Sequence, residues 1–232
     1  TYREAEVAQI ARVTEASAVV IPREYRGFDH YQMVRELQPD LPCLRHVVVA
    51  GEGAGGEGVS GGDGVSLDDI LRTPYEERHD PRVLDARQLD AVEDVAYLVT
   101  STGTTGAPKI AERCIARDVW AAKQHLRNWE VTAGDVILAI APVAGAAGGT
   151  PTYEVAPIAG AKVALEYWFR GTDTLEFMER EEVTVIALVP TQLAQLMTLP
   201  VERYNLSLRF VRTSGGILPP ALAQEAEERL GC

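Results

Sequence analysis

The stretch YLVTSTGTTGAPKIAE, residues 97–112, joins a β-type run to a dense series of glycine and hydroxyl residues that ends in one lysine. Gly103 and Gly106 carry no Cβ, so successive backbone N–H groups can converge there on an anion. Hydroxyl donors and one positive charge come from Ser101, Thr102, Thr104, Thr105 and Lys109. Because every polar side chain in this segment can donate a hydrogen bond, the stretch predicts a phosphate-binding loop. The alternative is a plain polar turn between a strand and a helix.

This loop differs from the Walker type. A Walker loop has a lysine directly after its last glycine, followed by Ser or Thr for magnesium. Here Lys109 stands three positions after Gly106, and Ile110 follows it. A kinase or GTPase of the P-loop class is therefore disfavoured.

Outward from the loop, apolar runs alternate with amphipathic segments. VAYLVT, DVILAIAP, AKVALEYW, VTVIALVP and SLRFVRTSG are typical of strands, whereas ARDVWAAKQHLRNW, TYEVAPIA, DTLEFMEREE, TQLAQLM and PPALAQEAEERL are typical of helices. Strands that are apolar throughout and separated by helices predict a largely parallel sheet covered on both faces. The predicted class is α/β, with TSTGTTGAPK and TSGG at the carboxyl ends of strands, where such sheets bind ligands.

The sequence predicts two portions, residues 1–94 and 95–232. The first holds two helix and strand units and the glycine-dense segment GEGAGGEGVSGGDG, which predicts a mobile surface loop. Gly51, Gly53 and Gly56 have the G-x-G-x-x-G spacing of a dehydrogenase that binds NAD. That fingerprint needs a helix to open at its third glycine, and the further glycines disfavour one, so we expect no NAD binding.

Composition excludes several classes. The formal charge is −12 without a basic block, so binding to nucleic acid is not expected. No apolar run reaches the ~20 residues that span a bilayer, and the first residues lack a signal-peptide layout. The three cysteines are too few and too scattered for a disulfide framework, which favours a cytoplasmic location. The absence of an initial Met indicates a fragment.

Residues 101–109 resemble the phosphate loop of the acyl-adenylate-forming (AMP-binding) superfamily, S-G-S/T-T-G-x-P-K. Further segments are similar to family stretches in the same order: PIAGAKVAL, VTVIALVPTQLAQLM and YNLSLRFVRTSGGILPP. The region TEASAVVIPREYRGFDHYQMVRELQ most resembles aryl-acid AMP ligases of the 2,3-dihydroxybenzoate type. The resemblance covers nearly the whole chain and implies part of the N-terminal α/β domain of such an enzyme.

The resemblance implies a reaction. A carboxylic acid, aryl or medium-sized and hydrophobic, attacks the α-phosphate of Mg·ATP, pyrophosphate leaves, and the acyl group passes from AMP to a thiol of CoA or of carrier-protein pantetheine. Lys109, Thr104 and Thr105 would be the catalytic residues. The residues that would bind ATP are Ser101, Thr102, Gly103, Thr104, Thr105, Gly106, Lys109, Ser214, Gly215, Gly216 and Ile217; none is expected to bind metal.

The acid would lie against Gly145, Ala146 and Gly215. Many members place a histidine at the position of Gly145, and the segment GAAGGT supplies neither an imidazole nor an aromatic gate. This departure leaves aryl-acid specificity open, and a flexible loop without a pocket role is the alternative for Gly145. Ile217 replaces a small residue of the family pattern and is expected to pack against adenine.

Several family parts are expected to lie outside this sequence. They are the Y-G-x-T-E motif with its magnesium-binding glutamate, the ribose-binding aspartate and the C-terminal lid domain with its lysine. We therefore expect this portion alone to be inactive. A non-catalytic nucleotide-binding module descended from such enzymes is the alternative function.

Overall fold

The structure, a computed structural model, describes residues 2–51, 64–101 and 109–232. They divide into two compact units: residues 1–89 with 100–111, and residues 90–99 with 112–232. The division passes through the segment that contains the predicted phosphate loop. The glycine-dense stretch 52–63 and loop residues 102–108 lie outside the described residues. A domain boundary at residues 94 and 95 stays a prediction.

The first unit contains short helices and strands in alternation, with 3₁₀ turns at Gln38–Asp40 and Pro81–Arg87. Its helices are α1 (Glu4–Val13), α2 (His30–Leu37), α3 (Leu67–Arg72) and α4 (Tyr75–Arg78). Its strands are β1 (Ala18–Pro22), β2 (Glu24–Tyr25), β3 (Phe28–Asp29), β4 (His46–Ala50) and β5 (Val65–Ser66).

A parallel three-stranded sheet in the order β1-β4-β5 organises this unit. Val47 and Val49 of β4 are buried, and they pack with Met33 and Val34 of α2. The alternation of buried side chains along β4 follows from the two-residue period of a strand. One face of the sheet therefore carries the core of the first unit.

Two further strands flank the predicted phosphate loop. Strand β6 (Tyr97–Ser101) and strand β7 (Lys109–Arg113) form a two-stranded sheet. The sequence predicted β6 as part of the largely parallel sheet, and that expectation is wrong. Residues 109–113 are themselves extended and pair with β6, and among the described residues β6 pairs with no strand of either parallel sheet.

The second unit is the larger one, with a π-helical segment at Thr150–Val155 and a 3₁₀ turn at Val201–Arg203. Its helices are α5 (Ile115–Trp129), α6 (Ala146–Gly149), α7 (Ala156–Ala159), α8 (Thr172–Arg180), α9 (Pro190–Met197) and α10 (Pro220–Leu230). Its strands are β8 (Val136–Ala139), β9 (Lys162–Ala164), β10 (Val185–Leu188) and β11 (Phe210–Thr213).

These four strands form a wholly parallel sheet in the order β11-β10-β8-β9. Ile137 and Val185 face one core, which contains Ala122 of α5 and the segment before α7. Their neighbours Leu138 and Ile186 face the other core, beneath α8, α9 and α10. Since successive strand residues point to opposite faces, a continuous apolar strand is the sequence pattern that a sheet buried on both sides requires.

The predicted α/β class with parallel sheets and flanking helices is confirmed. No helix within residues 2–51, 64–101 and 109–232 combines the length and the apolar character needed to cross a membrane.

Candidate functional site

The phosphate loop is the least described of the predicted site segments. Thr102, Gly103, Thr104, Thr105 and Gly106 lie outside the described residues. Their neighbours are placed: Ser101 is the last residue of β6, and Lys109 is the exposed first residue of β7. The role of all seven residues in binding ATP stays a prediction.

The other predicted residues lie at the carboxyl edge of the four-stranded sheet. Gly145 and Ala146 follow β8, and Ser214 follows β11, with β10 between these strands. The backbone N–H of Ser214 donates to the carbonyl of Leu188 at the end of β10, at 3.2 Å. Parallel pairing therefore brings together two segments that are separated by about 65 residues in the chain.

Gln192 of α9 joins the ends of two strands at this edge. Its side-chain oxygen accepts a hydrogen bond from the N–H of Val189 at 3.0 Å, and its amide nitrogen donates to the carbonyl of Ile140 at 2.9 Å. One amide side chain thus holds the turn after β10 against the turn after β8. Gln192 was not predicted from the sequence, because nothing local distinguishes it from a surface glutamine.

The double glycine after β11 has a conformational reason. Gly215 has φ +81°, in the left-handed region that residues with a Cβ rarely adopt. A Cβ on Gly215 would also lie 3.4 Å from the Val189 side chain. The turn therefore passes close to the end of β10, and Ile217, the residue after the double glycine, has 92% of its surface exposed. An isoleucine in that state is available to a ligand, as the adenine prediction requires.

The predicted acid-binding segment has a close backbone approach at Gly148 that the sequence did not predict. A Cβ on Gly148 would lie 2.7 Å from the carbonyl oxygen of Pro142 and would also strike the carbonyl of Ala141. Gly148 is buried, so α6 packs directly on the turn that ends β8. Gly145, for which the prediction was made, has its nearest such contact at 3.7 Å and is far less constrained.

An aromatic side chain does reach this segment, although GAAGGT itself contains none. Tyr153 lies in the π-helical segment, and its phenol ring occupies the space that a Cβ on Gly149 would need. Burial raises the pKa of the Tyr153 hydroxyl. The segment GAAGGT supplies no aromatic side chain, as its sequence shows, and the following π-helical turn places one next to it.

Arg212 connects the two predicted segments and was also missed. Its Nη1 donates to the carbonyl of Ala147 at 2.7 Å and to the hydroxyl of Ser214 at 3.1 Å. The guanidinium lies 5.0 Å from the centre of the Trp129 ring, on which His125 stacks at 4.6 Å. Burial lowers the pKa of Arg212 and, together with the nearby Arg212 charge, that of His125. His125 is therefore part of a packed cluster.

A second polar cluster lies beside α5. Asp118 accepts hydrogen bonds from the Tyr97 hydroxyl and from Nε of Arg113, the latter at 2.7 Å. Arg113 also contacts Glu154 at 3.4 Å. Burial, followed by the hydrogen bond to Asp118, raises the pKa of Tyr97. A cavity of about 240 Å³ opens here, and its lining includes none of the predicted site residues that the structure describes.

Metal ligands were not predicted for these residues. In the part of the chain that the structure describes, no group of three His, Cys, Asp or Glu side chains is arranged to hold a metal ion.

Comparison with known proteins places this geometry in a family. Residues 1–232 match the family described as AMP-binding enzyme. The chain is 27% identical over 235 residues to the 2,3-dihydroxybenzoate-AMP ligase of Bacillus subtilis, covering all of this chain and 40% of that protein. It is 30% identical over 239 residues to a 2-hydroxy-7-methoxy-5-methyl-1-naphthoate–CoA ligase of Streptomyces carzinostaticus, covering all of this chain and 41% of that protein.

Solved structures agree with the fold. An anthranilate CoA ligase in complex with anthranoyl-AMP superposes with a TM-score of 0.78 at 23% identity, over 99% of this chain and 42% of that chain. The apo structure of MbtA from Mycobacterium smegmatis gives the same TM-score at 25% identity, over 99% and 39%. The chain thus spans about two fifths of the length of these relatives. Over all 232 of its residues, it belongs to the AMP-binding enzyme family.

Proposed function

We propose that the protein containing this chain is an AMP-forming acid:thiol ligase. An aryl or medium-sized hydrophobic acid attacks the α-phosphate of ATP, pyrophosphate leaves, and the acyl group passes to the thiol of CoA or of a pantetheine-bearing carrier protein. The observation that carries the proposal is the sequence STGTTGAPK in a chain that matches the AMP-binding family along its whole length. The names of the two ligases from Bacillus subtilis and Streptomyces carzinostaticus give aromatic acids as their substrates, which favours an aromatic substrate here.

The chemistry assigned to this chain is positioning and charge neutralisation. A carboxylate nucleophile and a pyrophosphate leaving group are both already anionic, so the reaction requires little proton transfer. Backbone N–H groups between Gly103 and Gly106 would hold the β- and γ-phosphates, and Lys109 would add a positive charge. Ser214, Gly215 and Ile217 would contact adenine, with the acid between Gly215 and Ala146.

In the proposed reaction, magnesium enters only as the ion bound to ATP. When bound, the ion would neutralise phosphate charge. The described residues offer no cluster of three ligating side chains, so they do not account for its binding, and no step above depends on it. We also propose a cytoplasmic location, on the grounds of the scattered cysteines and the cytosolic supply of ATP.

Exchange of labelled pyrophosphate into ATP by the complete protein tests this function directly. With a panel of aromatic and aliphatic acids, we expect exchange that depends on the acid, and at least a tenfold loss of it in Lys109→Ala, because a charge-assisted contact to phosphate is removed. Lys123→Ala, at an exposed lysine of α5, is the matched control and should retain exchange.

Absence of exchange across the whole panel would overturn the ligase proposal. If ATP still binds in that case, and Lys109→Ala weakens the binding, the result would support the non-catalytic nucleotide-binding module. The two functions are therefore separated by one pair of measurements on the same two proteins.

A further inference from the structure

Arg212 is the third residue of β11, and its side chain reaches over the carboxyl edge of the parallel sheet. One nitrogen, Nη1, makes both of its hydrogen bonds, to the carbonyl of Ala147 and to the hydroxyl of Ser214. These bonds fix the plane of the guanidinium between the two segments that follow β8 and β11. The orientation of the group is therefore set before any ligand arrives.

The other edge of the guanidinium, formed by Nε and Nη2, makes no hydrogen bond to any residue that the structure describes. An arginine carries five N–H donors, and this edge is the one that matches both oxygens of a carboxylate. Within the described ranges, the buried side-chain polar atoms without a partner do not include Nε or Nη2 of Arg212. These two nitrogens are therefore not sealed inside the protein. As far as the described residues extend, this edge therefore keeps its donors for a ligand.

The surrounding charges leave Arg212 without a direct counter-ion. Within residues 2–51, 64–101 and 109–232, no carboxylate forms an ion pair with it. Glu154 influences it only over a longer distance, since that carboxylate contacts Arg113 and Tyr97. The ring of Trp129 lies 5.0 Å from the guanidinium carbon. A partly buried cation beside an aromatic ring gains more from an anion than an exposed cation does.

We propose that Arg212 binds a carboxylate of the organic acid through its Nε and Nη2 atoms. The inference rests on the proposed function, because it takes the space beside Ala146 and Ser214 to be the acid site. Two carboxylates could supply the same chemistry. One is the carboxylate that reacts with ATP, and the other is a second acidic group elsewhere on the substrate.

Trp129 provides a local signal for testing this proposal. Trp120 and Trp168 are 66% and 44% exposed, so replacing both with Phe leaves Trp129 as the single tryptophan. In this background the 232-residue chain is titrated with benzoate, phthalate, isophthalate and the neutral benzamide, each with and without Mg·ATP. The dissociation constant is read from Trp129 fluorescence and checked by calorimetry.

The variants separate charge from geometry. R212Q removes the cation, and R212K keeps the positive charge but loses the two parallel N–H donors of the guanidinium. R127Q removes one positive charge at an exposed position of α5. We expect the dissociation constant of the bound acid to rise about tenfold or more in R212Q, by less in R212K, and not in R127Q. Circular dichroism establishes whether each variant is folded. If R212Q does not fold, R212K still tests the proposal.

The ligands identify which carboxylate is bound. Benzoate binding that depends on Arg212, with benzamide binding that does not, identifies the reacting carboxylate. Dependence seen with phthalate or isophthalate but not with benzoate identifies a second acidic group. Equal binding in the wild type and R212Q, or no binding of any acid with or without Mg·ATP, would overturn the proposal.

The outcome is distinguishable from a failure of the proposed function. Acid-dependent pyrophosphate exchange together with acid binding that is insensitive to Arg212 would retain the ligase and remove only this inference. Acid binding that depends on Arg212, without exchange by the complete protein, would retain the carboxylate site and remove the ligase.

Discussion

At the scale of single residues, the sequence predicted the backbone turn of the site but not the contacts between its distant segments. Gly215 was predicted from its motif, and its positive φ gives the physical reason for a glycine. Gly148 and Arg212 were not predicted, because their importance arises from atoms of Pro142 and Ala147. Local sequence shows that a backbone must bend, whereas close approaches and hydrogen bonds between distant segments appear only in three dimensions.

The first prediction concerns Ile217, whose side chain is 92% exposed. Ile217→Ala should change the free energy of unfolding by less than about 0.5 kcal/mol, because the side chain contributes little to the core. If it packs against adenine, the dissociation constant for ATP should rise about fivefold, as apolar burial is lost. Thermal unfolding and calorimetric titration measure the two effects, and unchanged ATP affinity would contradict the assigned contact.

A second prediction concerns Gly148. Gly148→Ala should lower the free energy of unfolding by about 1–3 kcal/mol, because the added Cβ strikes backbone carbonyls that cannot rotate away. Gly134→Ala is the control, since a Cβ there would have only the Thr132 hydroxyl near it, at 3.7 Å. Chemical denaturation compares the two variants, and equal stability would show that α6 is not packed as described.

At the scale of elements, an ion pair joins two strands of the sheet near their amino ends. Arg209, just before β11, donates from Nε and Nη2 to the two carboxylate oxygens of Asp135, just before β8, both at 2.7 Å. Thr184, just before β10, donates to the same carboxylate at 2.7 Å. Asp135 is 4% exposed, so this carboxylate ties three strand starts together inside the protein. It positions the strands whose opposite ends form the candidate site.

The third prediction follows from this cluster. The bonds from Arg209 hold the pKa of Asp135 well below its usual range. Its stabilising contribution is therefore complete above the pKa of the unfolded chain, about 4, and is lost as the pH falls further. Asp135→Asn should lower the free energy of unfolding by about 2 kcal/mol at neutral pH.

The pH dependence distinguishes this cause from a general loss of packing. The difference between wild type and Asp135→Asn should stay constant from neutral pH down to about pH 4 and should shrink as the pH falls further, because protonation then removes the same charge from the wild type. Glu176→Gln, at an exposed position of α8, should show neither effect. Denaturation curves at several pH values measure the difference, and a constant difference would contradict the assignment.

At the scale of the whole molecule, each unit has its own buried cluster. Met33, Val34 and Val49 belong to the core of the first unit, whereas Ile186 and Leu188 belong to the second. The described core of the second unit is the larger, because its sheet is covered on both faces. A substitution in either core should therefore destabilise mainly the unit that contains it.

The fourth prediction compares the two cores. Ile186→Ala should cost about 2–5 kcal/mol and should reduce hydrogen-exchange protection of amides in β8, β10 and β11. Val49→Ala should instead reduce protection in β1 and β4. Hydrogen exchange followed by mass spectrometry resolves these segments, and equal loss of protection in both units from either substitution would contradict separate cores.

By itself, the sequence determined the order of helices and strands, the α/β class and the family, because hydrophobic period and loop composition are local properties of the chain. Residues 109–113 were one of the exceptions, since the sequence predicted no strand there and the structure pairs them with β6. Only the tertiary structure decided that Arg209 meets Asp135 across 74 positions and that Arg212 meets Ala147 across 65. Such contacts depend on which strands become neighbours, and strand order results from the packing of the whole sheet.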